Sequence, residues 1–267
     1  MFNAELASMF IRRNFKLTLT VSIGAAAIAF TLTTLFPGAS VEDAERIAAT
    51  WPEMMKILFG DPVHAFTTVY GWLNLQVFHL VFWIVFGLLA SILASEIVAK
   101  EVERRTLDLL LSCSVTRIEL AVSRLAALAA LIALAILPFL VACVAGVVVI
   151  GEPLELLRLS WVCTIGYLLC MGCGATTLLV SIVLPAQIPA ILASWSAIGL
   201  LFFYEEILSK MVPGLDRLSF LSPFHYYDAG DVLIRGSFSI VNVAMLLFLF
   251  SSLATLSVLV FARRDTT

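Results

Sequence analysis

Long stretches without charged residues constrain this chain more than any other feature. Five runs contain no Asp, Glu, Lys or Arg: residues 17–41, 62–95, 125–151, 159–204 and 236–262. A charge at the centre of a membrane helix costs about 2.5–3.5 kcal/mol, so these runs mark the segments able to cross a bilayer. With 61% hydrophobic and 13% charged residues, the chain lies outside the range of soluble globular proteins. The sequence therefore predicts a polytopic membrane protein.

The fourth run is long enough to cross twice. Its 46 residues would form about 69 Å of helix, against a hydrocarbon core of about 30 Å. Pro185 and Pro189 near its midpoint favour a turn there. We therefore expect an all-α fold in a single transmembrane domain covering residues 1–267. Its six spans are predicted at about 17–36, 73–95, 121–150, 160–184, 187–204 and 239–262.

The distribution of basic residues predicts the orientation. With an even number of spans, both termini lie on one side. If that side is the cytoplasm, cytoplasmic segments hold 10 of the 16 basic residues, and the outer segments hold 6 basic and 12 acidic residues. The positive-inside rule then places both termini in the cytoplasm and the protein in the cytoplasmic (inner) membrane.

Two further segments outside the spans have a membrane-interface composition. Residues 2–16 combine an apolar face with basic residues near their end, which predicts an amphipathic interfacial helix at the N-terminus. Residues 205–235 are too polar to cross, yet they hold a cluster of aromatic residues at 218–228. This predicts a re-entrant-like outer cap before the sixth span.

The densely charged stretch 96–124 separates the second span from the third. Within it Leu107, Leu110, Leu111 and Val115 recur at helical spacing and form an apolar stripe. Residues 116–119, Thr-Arg-Ile-Glu, have the spacing of a capping box, so a new helix is predicted to start there. Composition alone leaves open a membrane-surface helix or a solvated loop.

This stretch resembles the cytoplasmic loop of ABC-2 type permeases, the transmembrane subunits of ABC exporters. Those loops contain Gly-Thr-Leu-Glu-Leu-Leu-Leu-Ser followed by Pro-Val-Ser-Arg. Here residues 105–112 read Arg-Thr-Leu-Asp-Leu-Leu-Leu-Ser and residues 114–117 read Ser-Val-Thr-Arg. Arg105 replaces Gly, Asp108 replaces Glu and Ser114 replaces Pro. Residues 222–227, Ser-Pro-Phe-His-Tyr-Tyr, resemble the segment before the last helix of the same family.

The resemblance implies a cytoplasmic coupling helix, within the coupling segment 96–120, that binds a separate ABC ATPase. It also implies two permease copies with two ATPase chains, in contact with membrane lipid, and no nucleic-acid partner. ATP and Mg would bind in the partner ATPase, and this chain itself would carry no cofactor. The residues assigned to ATPase coupling are Glu96, Glu101, Glu103, Arg105, Thr106, Leu107, Asp108, Leu110, Leu111, Ser112, Val115, Thr116, Arg117 and Glu119.

The sequence contains none of the common catalytic motifs. It has no Gly-x-x-x-x-Gly-Lys-Ser/Thr loop for nucleotide phosphates, no His-Glu-x-x-His and no Gly-x-Ser-x-Gly. We therefore expect a transport subunit, with no catalytic residues, rather than an enzyme. An integral-membrane enzyme is the first alternative, but its spans should carry Asp, Glu or paired His, and the five charge-free runs lack the carboxylates. An ion channel and a passive structural membrane protein are further alternatives, but neither explains a coupling-type loop.

The scarcity of charges within the spans favours an amphipathic, lipid-like or drug-like cargo. The polar or aromatic residues predicted to contact it are Asn74, Gln76, His79 and Trp195. Cys170 and Cys173 form a CxxC pattern, which leaves open a permease that serves maturation of a copper enzyme. The scattered histidines indicate no metal site.

Overall fold

The computed structural model describes residues 2–52, 54–56, 62–103, 116–184, 186–212 and 214–263. Within these ranges the chain is helical and contains no β-strand. Six helices are long and apolar enough to cross a membrane, which confirms the predicted six-span all-α fold. They are α1 (Ala4–Thr34), α2 (Val69–Ser95), α3 (Arg117–Ile150), α4 (Leu156–Val183), α5 (Gln187–Met211) and α6 (Ile240–Arg263).

Helix α1 begins much earlier than the predicted first span. Asn3 caps it, because its side chain accepts hydrogen bonds from the backbone N–H groups of Glu5 and Leu6. No Gly or Pro interrupts residues 4–23, and the buried face continues through Ala7 and Phe10. The predicted interfacial helix and the first span are therefore one continuous helix, which packs along α3.

The start of α3 is confirmed at the level of individual hydrogen bonds. The backbone N–H of Glu119 donates to Thr116 Oγ1 at 3.2 Å, and the backbone N–H of Thr116 donates to Glu119 Oε2 at 3.1 Å. This is the reciprocal capping box that the spacing predicts. The helix ends at Ile150 and is followed by Gly151, whose φ of 77° lies in the left-handed region that glycine adopts at low cost.

Helix α4 lies at the centre of the bundle and packs against α2, α3, α5 and α6. Its close approach to α2 depends on Gly166, where a Cβ atom would lie 2.3 Å from Cε1 of Phe82. Phe78, Phe82 and Phe86 of α2 surround Phe139 of α3 at ring-centroid distances of 5.1–5.7 Å. These four rings are fully or almost fully buried and form the middle of the hydrophobic core.

The bundle has two ends, the terminal end and the far end. The terminal end holds the start of α1, the end of α6 and the short helix Ala99–Glu103. The far end holds the short helices Val41–Thr50 and Pro62–Thr67, and the 3-10 turns Leu215–Leu221 and Pro223–Tyr226. Of the predicted cap, residues 205–235, the first part belongs to α5, which continues to Met211, and the two 3-10 turns lie in the remainder. The membrane insertion of the cap stays a prediction.

Among the described residues, three π-helical turns lie in the half of the bundle that leads to the far end. Asn74–Phe82 belongs to α2, between the α-helical parts Val69–Leu73 and Trp83–Ser95. Tyr204–Leu208 belongs to α5, between Gln187–Phe203 and Ser209–Met211. The third turn, Asp231–Arg235, precedes α6. Such turns widen a helix locally and are frequent at functional sites.

Candidate functional site

The residues predicted to couple to an ATPase fall into two groups. Glu96, Glu101, Glu103, Thr116, Arg117 and Glu119 lie in the described part of the chain. The others lie outside the described residues: Arg105, Thr106, Leu107, Asp108, Leu110, Leu111, Ser112 and Val115. The described residues thus show the two flanks of the predicted coupling helix.

A cluster of charges joins these flanks at the terminal end. We call Arg13, Glu96, Lys100, Glu101 and Arg124 the charge cluster. Arg13 donates from Nη2 to Glu96 Oε2 at 2.9 Å and from Nη1 to Glu101 Oε1 at 2.7 Å. Arg124 Nη1 lies 3.2 Å from Glu101 Oε1, and Lys100 also pairs with Glu96. The cluster ties α1, the end of α2 and the start of α3 together.

Three members of the charge cluster are buried, whereas the Arg13 side chain is 39% exposed and the Lys100 side chain is 22% exposed. Glu96 is 3% exposed, Glu101 is 4% exposed and Arg124 is 5% exposed. Buried charges are tolerated when each has an opposite charge and hydrogen bonds, a condition that this cluster meets. Arg124 also donates from Nη1 to the backbone carbonyl of Ile97 at 3.2 Å. Because Glu96 and Glu101 are buried, any role in coupling must act through α1 and α3 rather than by direct contact with a partner.

Helix α5 is attached to the same end. Glu103 Oε2 accepts a hydrogen bond from the backbone N–H of Gln187 at 3.1 Å, which satisfies a free donor at the start of α5. The Gln187 side chain donates from Nε2 to Ser95 Oγ at 3.1 Å. Four of the six spans therefore meet around the segment 96–103.

A second site is a polar cleft of about 620 Å³ at the far end, which we call the far-end cleft. All three π-helical turns contribute to its wall, through Asn74 and His79, through Glu205 and Glu206, and through Asp231 and Arg235. The coincidence of three such turns in one wall marks this cleft as the candidate binding site of the far end.

Hydrogen bonds and ion pairs hold most polar side chains of the cleft. Lys210 Nζ lies 2.6 Å from Glu206 Oε2, and Arg235 Nη1 lies 3.0 Å from Asp231 Oδ1. His225 Nδ1 lies 3.1 Å from Glu205 Oε1. These pairs leave the cleft with closely spaced charges of both signs.

Two groups in the loop before the third π-helical turn have raised pKa values. The hydroxyl of Tyr227 donates to the carbonyl of Phe78 at 2.8 Å, and burial raises the pKa of Tyr227 well above its ordinary value. The pKa of Asp228 is also raised, chiefly through desolvation by the surrounding chain. A hydrogen bond from the backbone N–H of Asp231 to Asp228 Oδ1, at 2.8 Å, opposes this rise.

An aromatic wall closes the inner side of the far-end cleft. It consists of Trp83, Phe202 and Phe224, whose ring centroids lie 4.9–5.3 Å apart. Trp195 stacks on Trp83 with a ring-centroid distance of 5.9 Å and an interplanar angle of 7°. It is not itself part of the cleft wall. The wall therefore extends from the cleft into the bundle along α2 and α5.

The structure brings together part of the substrate path predicted from the sequence. Asn74 and His79 line the far-end cleft, and Trp195 contacts it through Trp83. Gln76 lies in the same π-helical turn, but it is not part of the cleft wall. Sequence reasoning missed Glu205, because counting charge-free residues ended the fifth span at Tyr204 although α5 continues to Met211.

An apolar groove of about 320 Å³ runs between α4, α5 and α6. Phe224 belongs to its wall and to that of the far-end cleft, so the groove adjoins the cleft at this side chain. Cys173 of the CxxC pattern also lines the groove. Among the described residues, no group of three or more His, Cys, Asp or Glu side chains is placed to hold a metal ion.

Comparison with known proteins gives the family. A search of curated proteins finds no match. The family model described as "ABC-2 family transporter protein" matches residues 9–266, a range that includes all of α2 to α6, the charge cluster and both cavities. The chain is therefore a multi-span membrane protein that belongs to the ABC-2 family of transporter proteins.

Proposed function

We propose that the chain is the permease subunit of an ATP-driven exporter, and that a separate ABC ATPase supplies the energy. The observation that best supports the proposal is the charge cluster. It holds the end of α2 and the start of α3, which flank the predicted coupling helix, against α1. ATP and Mg would bind in the partner ATPase, and the chain would lie in the cytoplasmic membrane with both termini in the cytoplasm.

Such a subunit requires a rigid connection between its ATPase-binding segment and its membrane spans. A force applied to residues 104–115 reaches α2 through the short helix Ala99–Glu103 and reaches α3 through the capped residue Thr116. Both side chains of the Arg124–Glu101 pair are buried, so solvent screens this pair less than it would screen an exposed one. Movement at the terminal end would then pass into the spans as a shift of whole helices rather than a local bend.

We further propose that two copies of the chain assemble with two ATPase chains, with a seam along α2 and α5. The cargo would be an amphipathic, lipid-like or drug-like molecule. Two features support this class of cargo: the far-end cleft is polar with one aromatic wall, and the adjoining groove is apolar. A molecule with a polar head and an apolar body matches both surroundings.

The experiment is copurification from the native cell. An affinity-tagged chain, solubilised in a mild detergent, is expected to retain a protein that contains a Gly-x-x-x-x-Gly-Lys-Ser/Thr motif. The complex should hydrolyse Mg-ATP, and the chain freed of this partner should not. Recovery of the chain without any such ATPase would contradict the proposal.

A further inference from the structure

Two buried acceptor oxygens of the far-end cleft lack a hydrogen-bond partner among the described residues. They are Oδ1 of Asn74 and Oε2 of Glu205. Asn74 is 9% exposed and Glu205 is 8% exposed. Leaving a buried acceptor without a donor is unfavourable, and more so when the acceptor is charged. Both oxygens belong to π-helical turns, one in α2 and one in α5.

The basic side chains near Glu205 do not contact its oxygen Oε2. Lys210 pairs with Glu206, and Arg235 pairs with Asp231. His225 is the partner of Glu205, but it contacts Oε1 and not Oε2. An additional positive group at Oε2 would therefore complete the hydrogen bonding of a carboxylate that is already largely desolvated.

The aromatic wall also favours a ligand that combines a positive charge with an apolar body. Trp83, Phe202 and Phe224 offer apolar surface, and the faces of aromatic rings, tryptophan above all, attract cations. Two unpaired acceptors call for a group that only donates hydrogen bonds. An ammonium group carries three donors and no acceptor, whereas a carboxylate or phosphate would face Glu205 with a like charge.

We propose that the far-end cleft binds the ammonium group of an organic amine. Glu205 Oε2 and Asn74 Oδ1 accept its hydrogen bonds, and the aromatic wall contacts its apolar body. The proposal narrows the cargo class given above to amphipathic amines and rests on that function for its role in transport. The ammonium group could belong to a free amine or to a lipid headgroup.

Calorimetric titration of the purified chain, in a maltoside detergent and without any ATPase, tests the binding. The probes are phenethylamine and 2-phenylethanol, which have nearly the same shape but differ in the ammonium group. We expect saturable binding of the amine, and binding of the alcohol weaker by about tenfold or more. Equal binding of both probes, or no binding of the amine, would overturn the proposal.

Glu205→Gln is the matching variant, because it removes the charge and keeps the shape. It should reduce amine affinity by about tenfold or more and leave alcohol binding unchanged. The control is Glu42→Gln, which removes an exposed carboxylate outside the cleft and should bind both probes as the original chain does. If Glu205→Gln binds phenethylamine as tightly as the original chain does, Glu205 is not part of an ammonium-binding site. If that variant does not fold, the comparison of amine and alcohol on the original chain still decides.

Competition separates the two sources of the ammonium group. If phosphatidylethanolamine added to the micelles displaces phenethylamine and phosphatidylglycerol does not, the group belongs to a lipid headgroup. If neither lipid displaces phenethylamine, the group belongs to a free amine. Because the titration contains no ATPase, its failure would leave the exporter proposal standing, and failed copurification of an ATPase would leave the binding site standing.

Discussion

Arg13 Nη2 and Glu96 Oε2 lie 2.9 Å apart, although 83 positions separate the two residues in the sequence. The pair connects the first span to the end of the second. Arg13 also pairs with Glu101, which in turn pairs with Arg124 of α3. Three spans are therefore joined by side chains at the level where the chain leaves α2 for residues 104–115.

Removal of Arg124 should destabilise the bundle. Arg124→Met keeps most of the side-chain volume, but it leaves Glu101 with one basic partner fewer in a buried position. Losing one member of a buried ion pair typically costs about 3–5 kcal/mol. We expect a clearly lower midpoint of thermal unfolding for the purified protein in detergent.

The control is Arg46→Met, which breaks the ion pair of Arg46 with Glu42. This pair is exposed, because the Arg46 side chain is 71% accessible and the Glu42 side chain is 76% accessible. Exposed pairs contribute little, so this midpoint should hardly move. Equal midpoints for the two variants would mean that the charge cluster does not stabilise the fold.

Gly166 and Gly172 of α4 offer a second matched pair. A methyl group at Gly166 would collide with Phe82, whose ring is fully buried among other rings. Gly166→Ala should therefore cost about 1–3 kcal/mol through overpacking. At Gly172 a Cβ meets nothing within 4 Å, so Gly172→Ala should leave the unfolding midpoint nearly unchanged. A midpoint for Gly166→Ala as high as that for Gly172→Ala would show that α2 and α4 are not this closely packed.

The number of spans and the start of α3 could be predicted because each depends on local sequence. Charge-free runs mark lipid-compatible segments, and a capping box needs only Thr116 and Glu119 at the right spacing. The pairing of Arg13 with Glu96 depends on packing between distant helices, which no local pattern encodes. The π-helical turn at Asn74–Phe82 also has no sequence signature that distinguishes it from ordinary helix.

The candidate site could be predicted only in part, because it too depends on packing between segments that are distant in the sequence. Asn74 and His79 stand out in the sequence as polar residues in an apolar span, and the structure places both in the far-end cleft. Glu205 and Phe224 join that cleft because α5 continues past Tyr204 and because the chain then folds back over the far end. Burial of Glu205 at 8% exposure could not be inferred from a polar stretch.

Alanine substitutions test the substrate path. Asn74→Ala, His79→Ala and Trp195→Ala should alter substrate-stimulated ATP hydrolysis by the assembled complex, because these residues line the far-end cleft or support its aromatic wall. Gln76→Ala completes the set predicted from the sequence. Each variant should still copurify with the ATPase. If all four transport and hydrolyse ATP as the original complex does, these residues do not line the path.

Reporter fusions test the orientation. Alkaline phosphatase, which is active only outside the cytoplasm, should be active when fused after Glu155 or Gly214, at the far end. It should be inactive when fused after Gln187, at the terminal end. The reason is the excess of basic residues in the segments assigned to the cytoplasm. An active fusion after Arg105 would place the predicted coupling helix outside, where no ATPase could reach it.

The most direct test of the exporter proposal changes the predicted apolar stripe of residues 107–115. Leu110→Asp and Leu111→Asp each place a carboxylate on the stripe, whereas Leu109→Asp places one on the opposite side of the predicted helix and serves as the control. A carboxylate buried without a partner in the interface costs several kcal/mol. We therefore expect Leu110→Asp and Leu111→Asp to fold normally but to lose the copurifying ATPase, and Leu109→Asp to retain it. Normal ATPase binding and normal transport in both stripe variants would contradict the account.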